Sequence, residues 1–453
     1  MLGAVPARTP AEAARSYLSL RYDEDWSFLR DPAQRIDFWD PVKYIPLNPA
    51  QTGYLSLGGE ARWRYEWYDN FNWGRGPQDD DGYLLQRYLL HADLRLGERL
   101  RFFGQLESEL SDGRNGGPRP FVDENRFDLH QAFVDLTPWS TTSGAFTVRA
   151  GRQEIAFGAG RLLSEGEGFN VRRKFDGLRL LLRAGSWQWN ATAMRLVRPL
   201  PGSFDDEPEE DRVFWGAGGA GTAPWAQRAS QSVYYFGVER DGATYDRGTA
   251  AERRHTLGSR IWARSGSMNL ELEGIGQWGR FGTGAIVAWA LVGELGRTLT
   301  GRTGEPWIAL RLAATSGDRD PQGSTLRTFS PLFPANAYGG RTALLGPSNT
   351  MTVVPTLRAA PSPRVTLFVE SGFYWRQSVS DAIYSSLGTV LRTGQLSTAR
   401  YIGSQPSVQL DYRFDRHLTL SVSYSHFYAG SFLRQTPPGE DIDFVFVQAS
   451  YKF

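Results

Sequence analysis

Arginines and carboxylates recur at every second position in several stretches of this 453-residue chain. Between residues 60 and 66 the order is Glu60, Arg62, Arg64, Glu66, with Ala61, Trp63 and Tyr65 interleaved. Glu107, Asp135, Arg149, Arg179, Glu271, Arg311 and Arg376 hold comparable polar positions further along. A guanidinium presents a planar fork of donors that matches a carboxylate with two hydrogen bonds. These arginines could therefore guide anions, while Glu60, Glu107, Asp135 and Glu271 orient them by cross-strand pairing. The plainer alternative is that the charges pair among themselves and hold a wet wall together.

Other chemistry finds little support. The histidines are His91, His130, His255, His417 and His426, and none forms an HExxH or HxH pair. No GxSxG elbow is present, and Gly216–Gly221 lacks the strand–helix context of a phosphate loop. An enzyme would need a cluster such as Ser425-His426 with an acid near one rim. Cysteine is absent, which excludes thiol catalysis, disulfides and cysteine-ligated metals. Asp318 and Asp320, one residue apart, are candidate calcium ligands or simply part of a solvated loop held by Arg–Asp pairs. No cofactor is expected. The net charge of +1 implies no bulk attraction to nucleic acid. Lysine occurs only at Lys43, Lys174 and Lys452; the rest of the 50 basic residues are arginine.

The element that places such residues on one face is a strand, where successive side chains point to opposite sides. Tyr54 to Tyr68 alternates over its whole length: Leu55, Leu57, Ala61, Trp63, Tyr65 and Trp67 against Ser56, Glu60, Arg62, Arg64 and Glu66. Ile442 to Phe453 alternates too, with Val445, Val447, Ala449, Tyr451 and Phe453 on one face. About seventeen such segments are legible, most near ten residues, the length that crosses a bilayer at a tilt. Mean hydropathy is −0.41. The most apolar run, Ala285 to Val292, is too short for a spanning helix.

Short turns alternate with long connections at 69–83, 111–127, 154–173, 198–230, 241–253, 317–349, 377–398 and 429–440. Arg280–Thr283 is the exception, a short connection on the long-loop side. Counts from the two ends disagree by one crossing, which predicts a further strand at Arg212–Ala220. The fold class is therefore all-β: a transmembrane antiparallel β-barrel of about 18 strands, with short periplasmic turns, long extracellular loops and the last strand closing on the first. Trp63, Trp67, Tyr68, Trp187, Trp189, Tyr424 and Tyr428 are placed for headgroup-level girdles. Residues 53–453 form the barrel. Residues 1–52 do not alternate and form either a periplasmic appendage or a segment tucked into the lower mouth. Leu2 to Ala14 is either a signal-peptide remnant or a disordered terminus.

Several short motifs along this frame resemble the alginate-export porin family of Gram-negative outer membranes. They are Gly58-Gly59-Glu60-Ala61-Arg62, Phe133-Val134-Asp135, Arg149-Ala150-Gly151-Arg152-Gln153, Ser316-Gly317-Asp318-Arg319-Asp320-Pro321, Phe373-Tyr374-Trp375-Arg376 and the final Lys452-Phe453. The resemblance implies a monomeric outer-membrane channel whose arginine-rich lumen passes an anionic polysaccharide such as alginate. It also implies that Arg152 belongs to a lumen constriction, although strict alternation from Phe146, Val148 and Ala150 puts Arg152 on the lipid side. Gln131 stands where the exporter carries arginine, and the first 50 residues exceed what an exporter needs. A small-molecule uptake porin gated by its N-terminal segment stays open as the alternative. Expected partners are outer-membrane lipid, anionic polysaccharide or small anionic solutes, and periplasmic proteins at the N-terminal segment.

Overall fold

The computed structural model describes residues 15–226, 228–335 and 340–453; the expected signal remnant at residues 2–14 lies outside them. Eighteen antiparallel strands, counted among the described residues, close into one barrel. They are β1 (Gly53–Asp69), β2 (Tyr83–Leu96), β3 (Leu100–Asp112), β4 (Asn125–Ser140), β5 (Gly144–Gln153), β6 (Phe175–Ala184), β7 (Trp187–Arg198), β8 (Arg212–Thr222) and β9 (Ala229–Tyr245). They continue as β10 (Gly248–Ser265), β11 (Met268–Phe281), β12 (Gly284–Thr298), β13 (Trp307–Thr315), β14 (Thr350–Ser362), β15 (Val365–Arg376), β16 (Tyr401–Arg413), β17 (Leu418–Ala429) and β18 (Ile442–Lys452). The strand at residue 212 is the one demanded by the parity of the turns.

Closure joins β1 to β18 from Glu60 opposite Lys452 to Asp69 opposite Asp443. Gly59 and Phe453 then exchange backbone hydrogen bonds of 2.9 and 3.0 Å. The approach is tight: a Cβ at Gly59 would meet the Phe453 ring at 2.7 Å. Closure leaves no free sheet edge in a medium that supplies no hydrogen bonds. Exposed Leu272, Leu291, Leu312, Val422 and Val447 form the outer, lipid-facing surface. Trp187 and Trp189 stack at 5.1 Å, and Tyr424 and Tyr428 on β17 are likewise exposed.

Three features depart from the sequence reading. Residues 241–253 are mostly strand, because β9 and β10 keep pairing up to Tyr245 opposite Gly248. Tyr68 turns inward, is buried, and stacks on Phe444 at 4.3 Å, so it does not belong to a girdle. The interior is also not polar throughout. Phe175, Phe214, Phe236, Phe329 and Phe333 form one apolar cluster, and Tyr374, Ile402, Phe427, Phe432 and Phe444 another. Both sit toward the long-loop end, where loop residues 154–174, 316–335, 340–349 and 377–400 fold against the strands and exclude water from large side chains.

Residues 15–52 enter the opposite mouth as short 3-10 turns and one helical turn, α1 (Asp40–Lys43). Arg21 donates to the carbonyls of Gly59 (2.9 Å) and Phe453 (2.8 Å). The Tyr22 hydroxyl donates to the Glu154 carbonyl at 3.0 Å. Tyr44 stacks on Tyr54 at 4.6 Å.

Candidate functional site

The polar face of the wall points inward, as alternation requires. On the β1–β6 side most of its charges are buried and paired, although both carboxylate oxygens of fully buried Glu109 lack a hydrogen-bond partner. Glu60 accepts from Arg87 at 2.5 Å and faces Lys452 at 3.3 Å. Arg87 also reaches Glu167 of the inward loop at 2.6 Å. Arg172 bridges Glu154 (2.7 Å) and Glu167 (3.1 Å). Burial opposes ionisation of Glu167, but Arg87 and Arg172 outweigh it and hold its carboxyl below the usual carboxylate range. Arg62 donates to the carbonyls of Glu167 (3.0 Å) and Phe169 (2.7 Å), so it pins this loop.

A bulge extends the network. Gln105 faces Gln131 while the next residue, Leu106, faces Leu129, so His130 is the extra residue. His130 and Gln131 are both fully buried as a result. The His130 ring sits between Glu107 (2.5 Å) and Glu154 (2.9 Å). Glu107 also binds Asn125 at 3.1 Å and, with Asp206, clasps the Lys174 ammonium.

Lower in the same wall, Arg149 forms a two-pronged pair with Asp135 at 2.7 and 2.9 Å. Its guanidinium covers the Phe133 ring at 3.9 Å and Tyr22 of the N-terminal segment at 4.3 Å. Arg179 holds Asn190 at 2.6 and 2.9 Å and reaches the Tyr22 hydroxyl at 3.3 Å. Arg64 pairs with Glu66 at 2.5 Å and lies over Phe446 at 4.0 Å. Across the barrel, Glu271 accepts from Arg260 and Arg161, both at 2.5 Å.

At the outer rim, Arg152 stands in register with Ala132 and Asp176, two residues beyond exposed Ala150. Its fork closes on Asp176 at 2.9 and 3.0 Å. No register shift in β5 turns it inward, so it keeps the outward phase given by alternation. Arg376 is fully buried under the loop that follows it and donates to the carbonyls of Val379 (2.9 Å), Ser397 (2.5 Å) and Ala399 (2.5 Å). Asp318 pairs with Arg247 at 2.9 Å, and Arg247 also donates to the Asp320 carbonyl at 2.8 Å. These two aspartates are loop braces here. Among the described residues, the acids that crowd together are instead Asp128, Asp205 and Asp206, and Lys174 already occupies Asp206.

The family described as alginate export matches residues 53–448, nearly the whole barrel. The chain belongs to the alginate-export family. No curated protein matches its sequence. Among solved structures it is similar to OccK2 (OpdF) of Pseudomonas aeruginosa in complex with glucuronate, at 14% identity and a TM-score of 0.55, covering 88% of this chain and 96% of that one. OpdK of Pseudomonas aeruginosa with vanillate is similar at 14% identity and a TM-score of 0.57, covering 88% and 98%. OccK5 (OpdH) of the same organism gives 13% identity and a TM-score of 0.57, covering 88% and 98%. The fold and the family together make this protein an outer-membrane channel of Gram-negative type.

In this alginate-export barrel the β12–β17 side of the lumen differs from the side just described. Many inward positions are small or hydroxylated, among them Ala309, Ala313, Thr356, Ser407, Ser421 and Ser423. Arg311 stands among them, half-buried, with Glu294 and Val354 opposite in register. Among the described residues it makes no hydrogen bond or ion pair. Arg341 of the loop before β14 leans into this space, on Glu370 (3.3 Å) and Gln409 (2.6 Å).

Ser425 is fully buried on the inward face, whereas the His426 ring binds Asp443 at 2.8 Å and lies 4.2 Å from exposed Tyr428. The two side chains project to opposite sides of β17, so they do not meet as a catalytic pair. Sequence reasoning missed Glu154, Glu167, Arg172, Lys174 and Arg341. For Glu154, Glu167 and Arg172 the signal was the dense charge in 154–173, a stretch read as a long outer loop; Arg341 lies in the long 317–349 connection.

Proposed function

We propose that this outer-membrane channel passes small anionic solutes passively along the β12–β17 side of its lumen. The observation that carries the reading is Arg311, an inward arginine without a carboxylate partner among the described residues, on a wall of small side chains. A fixed positive charge in a narrow, partly dehydrated passage lowers the barrier for anions and raises it for cations. Arg62, Arg64, Arg149, Arg179 and Arg376, already engaged, act in this reading as supports that fix loops and wall. Arg152 is the same kind of support at the rim. Glucuronate and vanillate, named with two of the similar structures, are carboxylates, the class that such a charge would attract.

The apolar clusters at the outer end and the N-terminal wedge at the inner end favour small solutes over a hydrated polymer in this state. The family match keeps passage of an alginate-like uronate polymer as a second reading, and it requires the wedge to leave. The reading is one of transport without catalysis.

The test is a reversal potential in a planar bilayer under a salt gradient. The wild-type channel should favour chloride over potassium, and Arg311→Glu should move the preference toward potassium. Equal or cation-favouring behaviour in the wild type would sink the proposal.

A further inference from the structure

The most exposed large apolar side chains outside the barrel wall are Ile36 and Phe38, at 79% and 84%. They flank Asp37, which is tied to the barrel rim: its carboxylate binds the His417 ring at 3.0 Å and faces Arg416 at 3.8 Å. The chain there is fixed. The backbone N–H groups of Ile36 and Asp37 both donate to the Asp40 carboxylate, at 2.9 and 3.0 Å. The next residue shows which way this corner faces. The Trp39 indole donates to the Tyr451 hydroxyl at 2.7 Å and stacks on Phe453 at 4.3 Å. Tyr451 shares the outward face of β18 with exposed Val447.

The segment therefore leaves the lumen, passes beneath the rim at β17–β18, and ends with its indole on the lipid-facing side. Phe38 lies edge-on to Trp39 at 5.1 Å. Phe414, in the neighbouring turn, is 57% exposed. Two apolar side chains held rigidly in water would be unfavourable, whereas insertion at the acyl boundary removes them from water and puts the amphipathic Trp39 indole at headgroup depth. We infer that residues 36–39 form an interfacial anchor inserted into the phospholipids of the periplasmic leaflet, continuous with the lipid-facing wall. The anchor would tie the N-terminal wedge to the membrane as well as to the lumen.

The absence of native cysteine makes a direct test simple. Full-length Ile36→Cys and Phe38→Cys are spin-labelled and reconstituted in phosphatidylethanolamine–phosphatidylglycerol vesicles. Label accessibility to oxygen and to a water-soluble nickel chelate is then compared. Val447→Cys supplies the lipid reference and Ala33→Cys the water reference, and heat-modifiable migration confirms that each variant is folded. The oxygen-to-nickel ratio at positions 36 and 38 should exceed that at 33 severalfold and approach that at 447. Ratios equal to that at 33 at both positions would overturn the anchor. That outcome would leave these side chains free for a periplasmic protein and would not touch the anion selectivity assigned to Arg311.

Discussion

From β1 to β6 the inward residues include Glu60, Arg87, Glu107, Asp135 and Arg149, all buried and bonded to neighbours, to the 154–174 loop or to the N-terminal wedge. From β12 to β17 many are alanine, serine or threonine, with Arg311, Arg358, Glu294, Glu370 and Asp411 spaced among them. Both walls obey the same two-residue period. They differ in what is packed against them. Where loop and wedge cover the wall, most of its charges have partners, because an unpaired charge out of water is costly. Where small side chains line the wall, Arg311 stays half-buried and has no carboxylate partner among the described residues. The comparison separates charges that hold the barrel together from charges that can act on a solute.

The largest effect should follow from breaking the covered side. Arg87→Ala leaves Glu60 and Glu167 facing each other without their shared cation, and it should cost about 3–5 kcal/mol of stability. Urea unfolding in detergent micelles measures this; a loss near zero would mean that water screens the network. Removing Arg21–Asn48 should then raise single-channel conductance severalfold by opening the lower mouth. An unchanged conductance would make this segment an appendage outside the conducting path.

A finer effect is the pH response of the wedge. Lys43 is fully buried, with its ammonium between the rings of Tyr17 (5.5 Å), Trp26 (5.2 Å) and Phe453 (5.8 Å). Burial lowers its pKa from 10.5 to about 7, so the folded wedge disfavours the charged form. The sign follows from linkage. Between pH 7 and 10.5 the released segment binds the proton more readily than the docked one, so docking tightens as pH rises through this window and is weakest below it. Amide exchange over residues 17–48, corrected for intrinsic rates, should slow across that window. Lys43→Met should flatten the response; an unchanged response would assign it to another group.

The smallest energetic effect should come from the open side. Arg311→Ala should change stability by less than about 0.5 kcal/mol, the range of surface substitutions, while weakening anion preference. Arg149→Ala should do the reverse, because its bidentate partner Asp135 would be left buried with only the more distant Arg101 guanidinium at 3.6 Å. If both variants changed selectivity alike, the distinction between the two walls would fail.

Much of the architecture was legible because alternation is a local property. Glu60, Arg62, Arg64 and Glu66 had to share a face once β1 was a strand, and the parity of short and long connections required β8 although its glycines weaken the local signal. The 241–253 segment was misread because pairing between β9 and β10 continues past the membrane, and composition does not mark where a hairpin ends. Tyr68 was misplaced for a related reason: its phase is clear in β1, but aromatic residues near strand ends suggested a girdle. The roles of the arginines were hidden more deeply. Nothing in the order of residues says that Arg62 meets the carbonyls of Glu167 and Phe169, or that Arg376 is enclosed by the loop that follows it.

The sequence by itself determined the wall: which side chains face lipid, which face inward and how many strands there are. That follows from the two-residue period of a strand and from the need to satisfy every backbone group in lipid. Only the tertiary structure decided what fills the tube, and hence which inward charges are silenced by a partner. Those contacts join residues more than a hundred positions apart, such as Tyr22 with Glu154 and Arg62 with Phe169. They depend on loop paths that no local pattern encodes.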